Sequence, residues 1–166
     1  MPQTKHTPHV SRSSRTDRPL WTCPLCGRRF ANRNQTHWHS AMTLDDHFAD
    51  ADERLRATFV RLVEVVRSCG EIVLWPVKTY IYIAARRSFA GVQVRKRWLK
   101  VHVELTRRLD NPRFDSIEEI TPRNILHNFR LRSPEDVDDE VRAWLCEAYR
   151  VGMQEHLVAS RPPEGQ

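Results

Sequence analysis

Leu99, Val101, Val103 and Leu105 alternate strictly with Lys100, His102, Glu104 and Thr106. A period of two is not a helical face. It sends one set of side chains to a buried sheet surface and the other to water. The same β-branched and aromatic bias runs through residues 71–77, 79–85 and 89–95, with Pro76 interrupting as at an edge or bulge. Alternation resumes over 124–132, with Ile125, His127, Phe129 and Leu131 on one side. The connections leave no room for crossover helices, so the pattern predicts an antiparallel meander of about five strands.

Helical periods flank this sheet. Thr43-Leu44-Asp45-Asp46 opens a helix with a capping threonine and early acids. Phe48, Ala51, Leu55, Phe59, Leu62, Val63 and Val66 then form one continuous apolar stripe, which Gly70 ends. A second helix opens at Ser133-Pro134-Glu135-Asp136 and carries Val137, Val141, Trp144, Leu145, Ala148 and Tyr149 inward. The expected fold is α+β in two layers, with both helices on one face of the sheet. The expected domains are a disordered tail over 1–19, a zinc knuckle over 20–42, the α+β domain over 43–157 and a frayed tail over 158–166.

The knuckle rests on Cys23-Pro24-Leu25-Cys26-Gly27 and His37-Trp38-His39, with spacing C-x2-C-x10-H-x-H. Two cysteines two apart around a glycine turn aim both thiolates at one ion. Histidines at i and i+2 of an extended segment project to the same side. Cys23, Cys26, His37 and His39 therefore form the expected structural zinc site, with His47 as the alternative to His39. Four protein ligands close the shell against catalysis. The histidine spacing also differs from that of major-groove fingers. The segment has too little apolar surface to fold without a metal, and Trp21, Phe30 and Trp38 would pack it onto the larger domain. Cys69 and Cys146 lie in helical apolar patterns and read as small buried hydrophobes. Cysteine usage as a whole then fits a reducing cytoplasm.

Charge is uneven along the chain. The net is +6, and residues 71–108 hold nine Lys or Arg against two Glu, which leaves the rest close to neutral. Such a segment is a footprint for a polyanion, with nucleic acid the commonest; its alternative is a solvated sheet face. The contact set would be Arg86, Arg87, Arg95, Lys96, Arg97 and Lys100, with Trp98 for stacking. Phe89, Tyr80 and Tyr82 interleave with them as on a single-strand platform, or else as sheet packing. No apolar run is long enough to span a membrane, and the polar N-terminus lacks the apolar centre of a signal peptide.

Catalytic signatures are absent. There is no G-x-S-x-G, no H-E-x-x-H and no glycine-rich phosphate loop. The acidic run Glu135, Asp136, Asp138, Asp139 and Glu140 reads as the charged start of a helix. His127, on the apolar side of its strand, reads as a satisfied core group. The leading expectation is a non-enzymatic binding module for nucleic acid. Two readings stand beside it: a small enzyme or enzyme remnant with a pocket near Lys78, Tyr80 and His127, and a protein–protein adaptor using the acidic C-terminal helix.

The chain resembles a bacterial family of unknown function, the domain-of-unknown-function family 5655. The resemblance is carried by residues 21–30 (WTCPLCGRRF), Asn34-Gln35-Thr36-His37 and Thr43-Leu44-Asp45-Asp46-His47-Phe48. It continues through Lys78-Thr79-Tyr80-Ile81, Phe89-Ala90 and Ser133-Pro134-Glu135-Asp136-Val137-Asp138 to Ala148-Tyr149. Members with the knuckle carry cysteine at the last ligand position, where this chain has His39. Similar domains occur appended to predicted nucleases, which implies compatibility with nucleic-acid work but no catalytic residues to carry over.

Overall fold

A computed structural model describes residues 17–37, 39 and 42–159. Of the expected tails over 1–19 and 158–166, residues 1–16 and 160–166 lie outside these residues, as does the expected packing of Trp38. A short hairpin comes first, β1 (Trp21–Thr22) with β2 (Arg29–Phe30), followed by helices α1 (Leu44–Phe48) and α2 (Glu53–Cys69). The central sheet is built from β3 (Val73–Pro76), β4 (Ile81–Ala84), β5 (Ser88–Val94), β6 (Leu99–Leu105), β7 (Phe114–Thr121) and β8 (Asn124–Leu131). Helices α3 (Asp139–Gly152) and α4 (Glu155–Ala159) close the described chain. The α+β class follows directly.

The sheet has six antiparallel strands in the order β3-β4-β5-β6-β8-β7. It departs from the expected five-strand meander at one edge. Strand β7 was not anticipated, and β8 folds back between β6 and β7. The omission has a physical cause. Strand β7 is an edge strand whose Asp115, Ser116, Glu118, Glu119, Ile120 and Thr121 are exposed, so it carries little apolar alternation.

Register sorts the two faces. Ile81, Val92, Val101 and Phe129 form one lateral row, and Ile83, Ala90, Val103 and His127 form the next. All eight are buried and point at the helices. On α2, Leu55, Phe59, Leu62, Val63 and Val66 meet them, joined by Val141, Trp144, Leu145 and Ala148 of α3 in one core. Each large apolar side chain buried here contributes about 1.5–3 kcal/mol. Both helices therefore lie on one sheet face, as expected.

The helix boundaries differ from the sequence reading. The single stripe over 43–69 is two helices, because Asp52 takes an extended conformation and caps α2 by accepting the Arg54 N–H at 2.8 Å. Thr43 and Asp46 cap each other reciprocally at the start of α1. Pro134–Asp136 is an isolated 3-10 turn. Helix α3 begins only after Asp138, whose carboxylate accepts the Val141 N–H at 3.0 Å.

Cys69 and Cys146 correct a larger expectation. They are not inert hydrophobes; they form a disulfide that ties the end of α2 to α3. Only Cys23 and Cys26 are free thiols, so cysteine usage no longer points to a reducing compartment. Among the described residues no helix is long and apolar enough to cross a membrane.

Candidate metal centre

The β1–β2 hairpin is closed by Cys23 N–H donating to the Arg28 carbonyl at 2.8 Å and Gly27 N–H donating to the Cys23 carbonyl at 2.9 Å. Gly27 sits at φ 70°, in the left-handed region that glycine enters without a Cβ penalty. This turn sets Cys23 and Cys26 side by side. His37 and His39 follow in the chain, their ring centroids 4.6 Å apart. His39 Nε2 lies 3.4 Å from Cys23 Sγ, and His37 Nε2 lies 3.1 Å from Cys26 Sγ. All four donor atoms fall within 4.8 Å of one another, close enough to hold one metal ion. His47, the alternative ligand, lies on α1 outside this group.

Supporting bonds prepare the donors. His37 Nδ1 donates to the Gln35 carbonyl at 2.6 Å, which leaves Nε2 as the free lone pair. At Cys23, burial pushes the thiol up. Backbone N–H groups of Cys26 and Leu25 and the contacts with His39 and Cys26 outweigh it and bring the group from 9.0 down to about 6. A thiolate at neutral pH is the form that binds metal.

The hairpin docks on the sheet face away from the helices. Phe30 sits 5.1 Å from the Trp75 ring and 4.3 Å from the His37 ring. With Cys23 and Ala84 they form a second apolar cluster, joined by Trp21, Val73 and Tyr82. Arg28 reaches the Pro76 carbonyl at 3.5 Å. We call this unit the clasp.

Beyond the clasp the same face carries the row Tyr82, Gly91, His102 and Asn128. A Cβ on Gly91 would collide with the His102 imidazole, so the glycine makes room for the ring. Tyr80 and Tyr82 stack at 5.6 Å, and His102 meets both edge-on. Burial, reinforced by the Lys100 ammonium, pushes His102 from 6.5 down to about 4. The folded state thus holds it neutral where the unfolded chain is protonated. Its contribution to stability is full above pH 6.5 and is lost as pH falls through the folded value. The expected loss by pH 4 is about 3 kcal/mol. Urea unfolding across pH 7 to 4 should show this slope, and His102→Gln should flatten it; an unchanged slope in the variant would refute the assignment.

The basic residues divide. Arg86 is buried and donates to the Arg18 carbonyl at 2.8 Å. Arg87 pairs with Glu104 at 2.6 Å. Arg95, Lys96 and Arg97 are exposed on the β5–β6 turn. Trp98 lies under the Arg130 guanidinium at 4.8 Å, and Lys100 stands between Gln93 and Arg130 on the outer face.

Lys78, Tyr80 and His127 do not converge. Lys78 is exposed on the β3–β4 turn and Tyr80 is on the outer face. His127 is fully buried on the helix face. Its Nδ1 donates to the Ile125 carbonyl at 3.1 Å, and its Nε2 accepts the Leu109 N–H at 3.0 Å. The acids of the C-terminal region are largely engaged as well: Arg113 pairs with Asp138 at 2.8 Å and Glu140 at 2.9 Å, and Asp136 accepts the Arg132 and Ser133 N–H groups.

The model of one family, Domain of unknown function (DUF5655), matches residues 44–152. The chain belongs to DUF5655. In this DUF5655 chain the matched stretch covers α1 through α3, and the clasp with its four donors precedes it. No curated protein and no solved structure matches the chain. The row Tyr82–Gly91–His102 and the Arg87–Glu104 pair escaped the sequence reading, because each depends on strand register and leaves no local motif.

Proposed function

We propose that this DUF5655 protein is a non-enzymatic, zinc-stapled module that binds nucleic acid through the basic rim of its sheet. The observation that carries the reading is the β5–β6 turn. Arg95, Lys96 and Arg97 are exposed there, and among the described residues none of them has an ion-pair partner. Trp98, just before β6 and beneath Arg130, and Lys100 on β6 continue the surface with an aromatic–arginine pair and a further cation. Arg86 and Arg87 drop out of the contact set, since their guanidinium groups are used internally.

Zinc is the reading for the Cys2His2 group. A tetrahedral ion with Zn–S near 2.3 Å and Zn–N near 2.05 Å needs sulfur–nitrogen separations of about 3.5 Å. The separations of 3.4 and 3.1 Å approach that value. The clasp over 20–42 is then a structural appendage on the domain over 43–157. A cytoplasm would keep the Cys23 and Cys26 thiolates reduced, but the Cys69–Cys146 bridge weighs against it, and thiol counting in freshly lysed cells decides between them.

The test is binding of labelled single- and double-stranded oligonucleotides across a salt series. Affinity should fall linearly on a log–log plot. The triple variant Arg95→Ala, Lys96→Ala, Arg97→Ala should reduce the single-strand slope by about 2, at roughly 0.7 per phosphate contact. Absence of binding at low salt, or an unchanged slope in the variant, overturns the reading.

A further inference from the structure

Strand register brings two turns to one end of the sheet. Ile81 pairs with Val92 and Val94 with Leu99, so the β3–β4 turn over 77–80 stands beside the β5–β6 turn over 95–98. Lys78 is exposed on the first turn and joins Arg95, Lys96 and Arg97 on the second. Among the described residues none of the four has an ion-pair partner. The acids on the outer face are engaged elsewhere: Glu104 holds Arg87, Asp115 holds Arg130 at 2.8 Å, and Glu118 accepts the Asn128 side-chain N–H at 3.1 Å. One aromatic ring is set among the free cations. Tyr80, where the first turn meets β4, is half-buried on the outer face. Its ring stacks on Tyr82 at 5.6 Å and 19°, and His102 meets it edge-on at 5.6 Å. Tyr80 is thus held in place before any partner arrives, and binding costs it little side-chain freedom. Trp98 differs, since its ring already carries the Arg130 guanidinium at 4.8 Å.

We propose that the nucleic acid held at this rim is single-stranded, with one base stacked on Tyr80 and the backbone crossing Lys78 and the Arg95–Arg97 turn. This deepens the nucleic-acid reading above and rests on it. A duplex keeps its bases stacked on one another and offers a sheet face only phosphates. An unpaired base has a free π-face, and a ring already fixed beside cations is its complement. Phosphates then meet Lys78 from one turn and Arg95, Lys96 and Arg97 from the other, which makes the attraction electrostatic and the stacking its selective part. Every base has a π-face, so the class is single strands without sequence preference. Lys78 and Tyr80 are binding residues in this arrangement, and they act with the β5–β6 turn rather than with His127, which is buried on the opposite face.

The experiment titrates the full chain at low salt with three labelled ligands of about twelve nucleotides: oligothymidine, an abasic strand of the same charge, and a duplex. Oligothymidine should bind roughly fivefold or more tightly than the abasic strand. Tyr80→Leu should remove that difference while leaving abasic and duplex affinities unchanged. Lys78→Ala should lower the single-strand salt slope by about 0.7, the share of one phosphate contact. Lys78 is an exposed turn residue, so this variant keeps the fold. The comparison of oligothymidine with the abasic strand uses the wild type and does not depend on how Tyr80→Leu folds. Equal binding of these two ligands, a base preference that survives Tyr80→Leu, or an unchanged slope in Lys78→Ala overturns this inference and leaves the basic-rim reading standing. No binding of any of the three ligands overturns both.

Discussion

Cys23→Ser should lower the metal content from about one ion per chain to nearly none and unfold the clasp, while the sheet and its helices stay folded. Cys23 is the most deeply placed of the four donors, 3 % exposed, with its sulfur served by backbone N–H groups of Cys26 and Leu25. A serine hydroxyl stays protonated at neutral pH and cannot replace a thiolate. Structural zinc contributes an apparent ~10–16 kcal/mol in small finger peptides, and a metal held by these four donors would supply folding energy to a hairpin of only two residues per strand. The damage should stop at the clasp, since the helix-side core shares no buried residue with the cluster around Phe30 and Trp75. Metal analysis by mass spectrometry and near-ultraviolet circular dichroism read the two effects separately. Full metal occupancy in the variant would refute the site, as would metal-free wild-type protein with Cys23 and Cys26 joined to each other.

Opening the Cys69–Cys146 bridge should destabilise the helix–sheet unit by about 4 kcal/mol. The bridge closes a loop with a sequence separation of 77, and loops of that order restrict the unfolded chain by nearly that amount. It also holds the end of α2 against α3 where Gly70 passes the Tyr149 ring so closely that a Cβ would strike the hydroxyl. The double variant Cys69→Ser, Cys146→Ser should therefore unfold at markedly lower urea than the wild type, with metal content unchanged. Chelation should do the reverse, loosening the clasp and sparing this midpoint. An identical midpoint in the double variant would show that the bridge carries no stability.

Much of the fold could be read along the chain because its signals are local. The alternation over 99–105 belongs to one strand, and its burial follows the expected pattern residue by residue. Helix α2 was legible from its stripe, and α3 from Val141, Trp144, Leu145 and Ala148. What failed depended on competition between neighbours. Asp52 as a cap overrode a continuous apolar stripe, and Asp138 displaced the start suggested by Ser133 and Pro134. Strand β7 is held by pairing with β8 and by Phe114 at its start, which packs against Trp144, while the exposed run that follows shows no apolar periodicity. The Lys78–Tyr80–His127 pocket failed for a related reason: adjacent strands were read without register, and residues from opposite faces were placed together.

The donors of the metal centre were determined by sequence alone. Cys23 and Cys26 share one turn, His37 and His39 stand two residues apart, and such short-range geometry is set by chain connectivity. The tertiary structure decided everything that joins distant residues. It paired Cys69 with Cys146, set Tyr82 beside Gly91 and His102, and withdrew Arg86 and Arg87 from the basic rim. The physical reason is the same in each case. A two-residue spacing restricts where a side chain points, but which side chain it meets is set by register and packing, and these are properties of the whole folded chain.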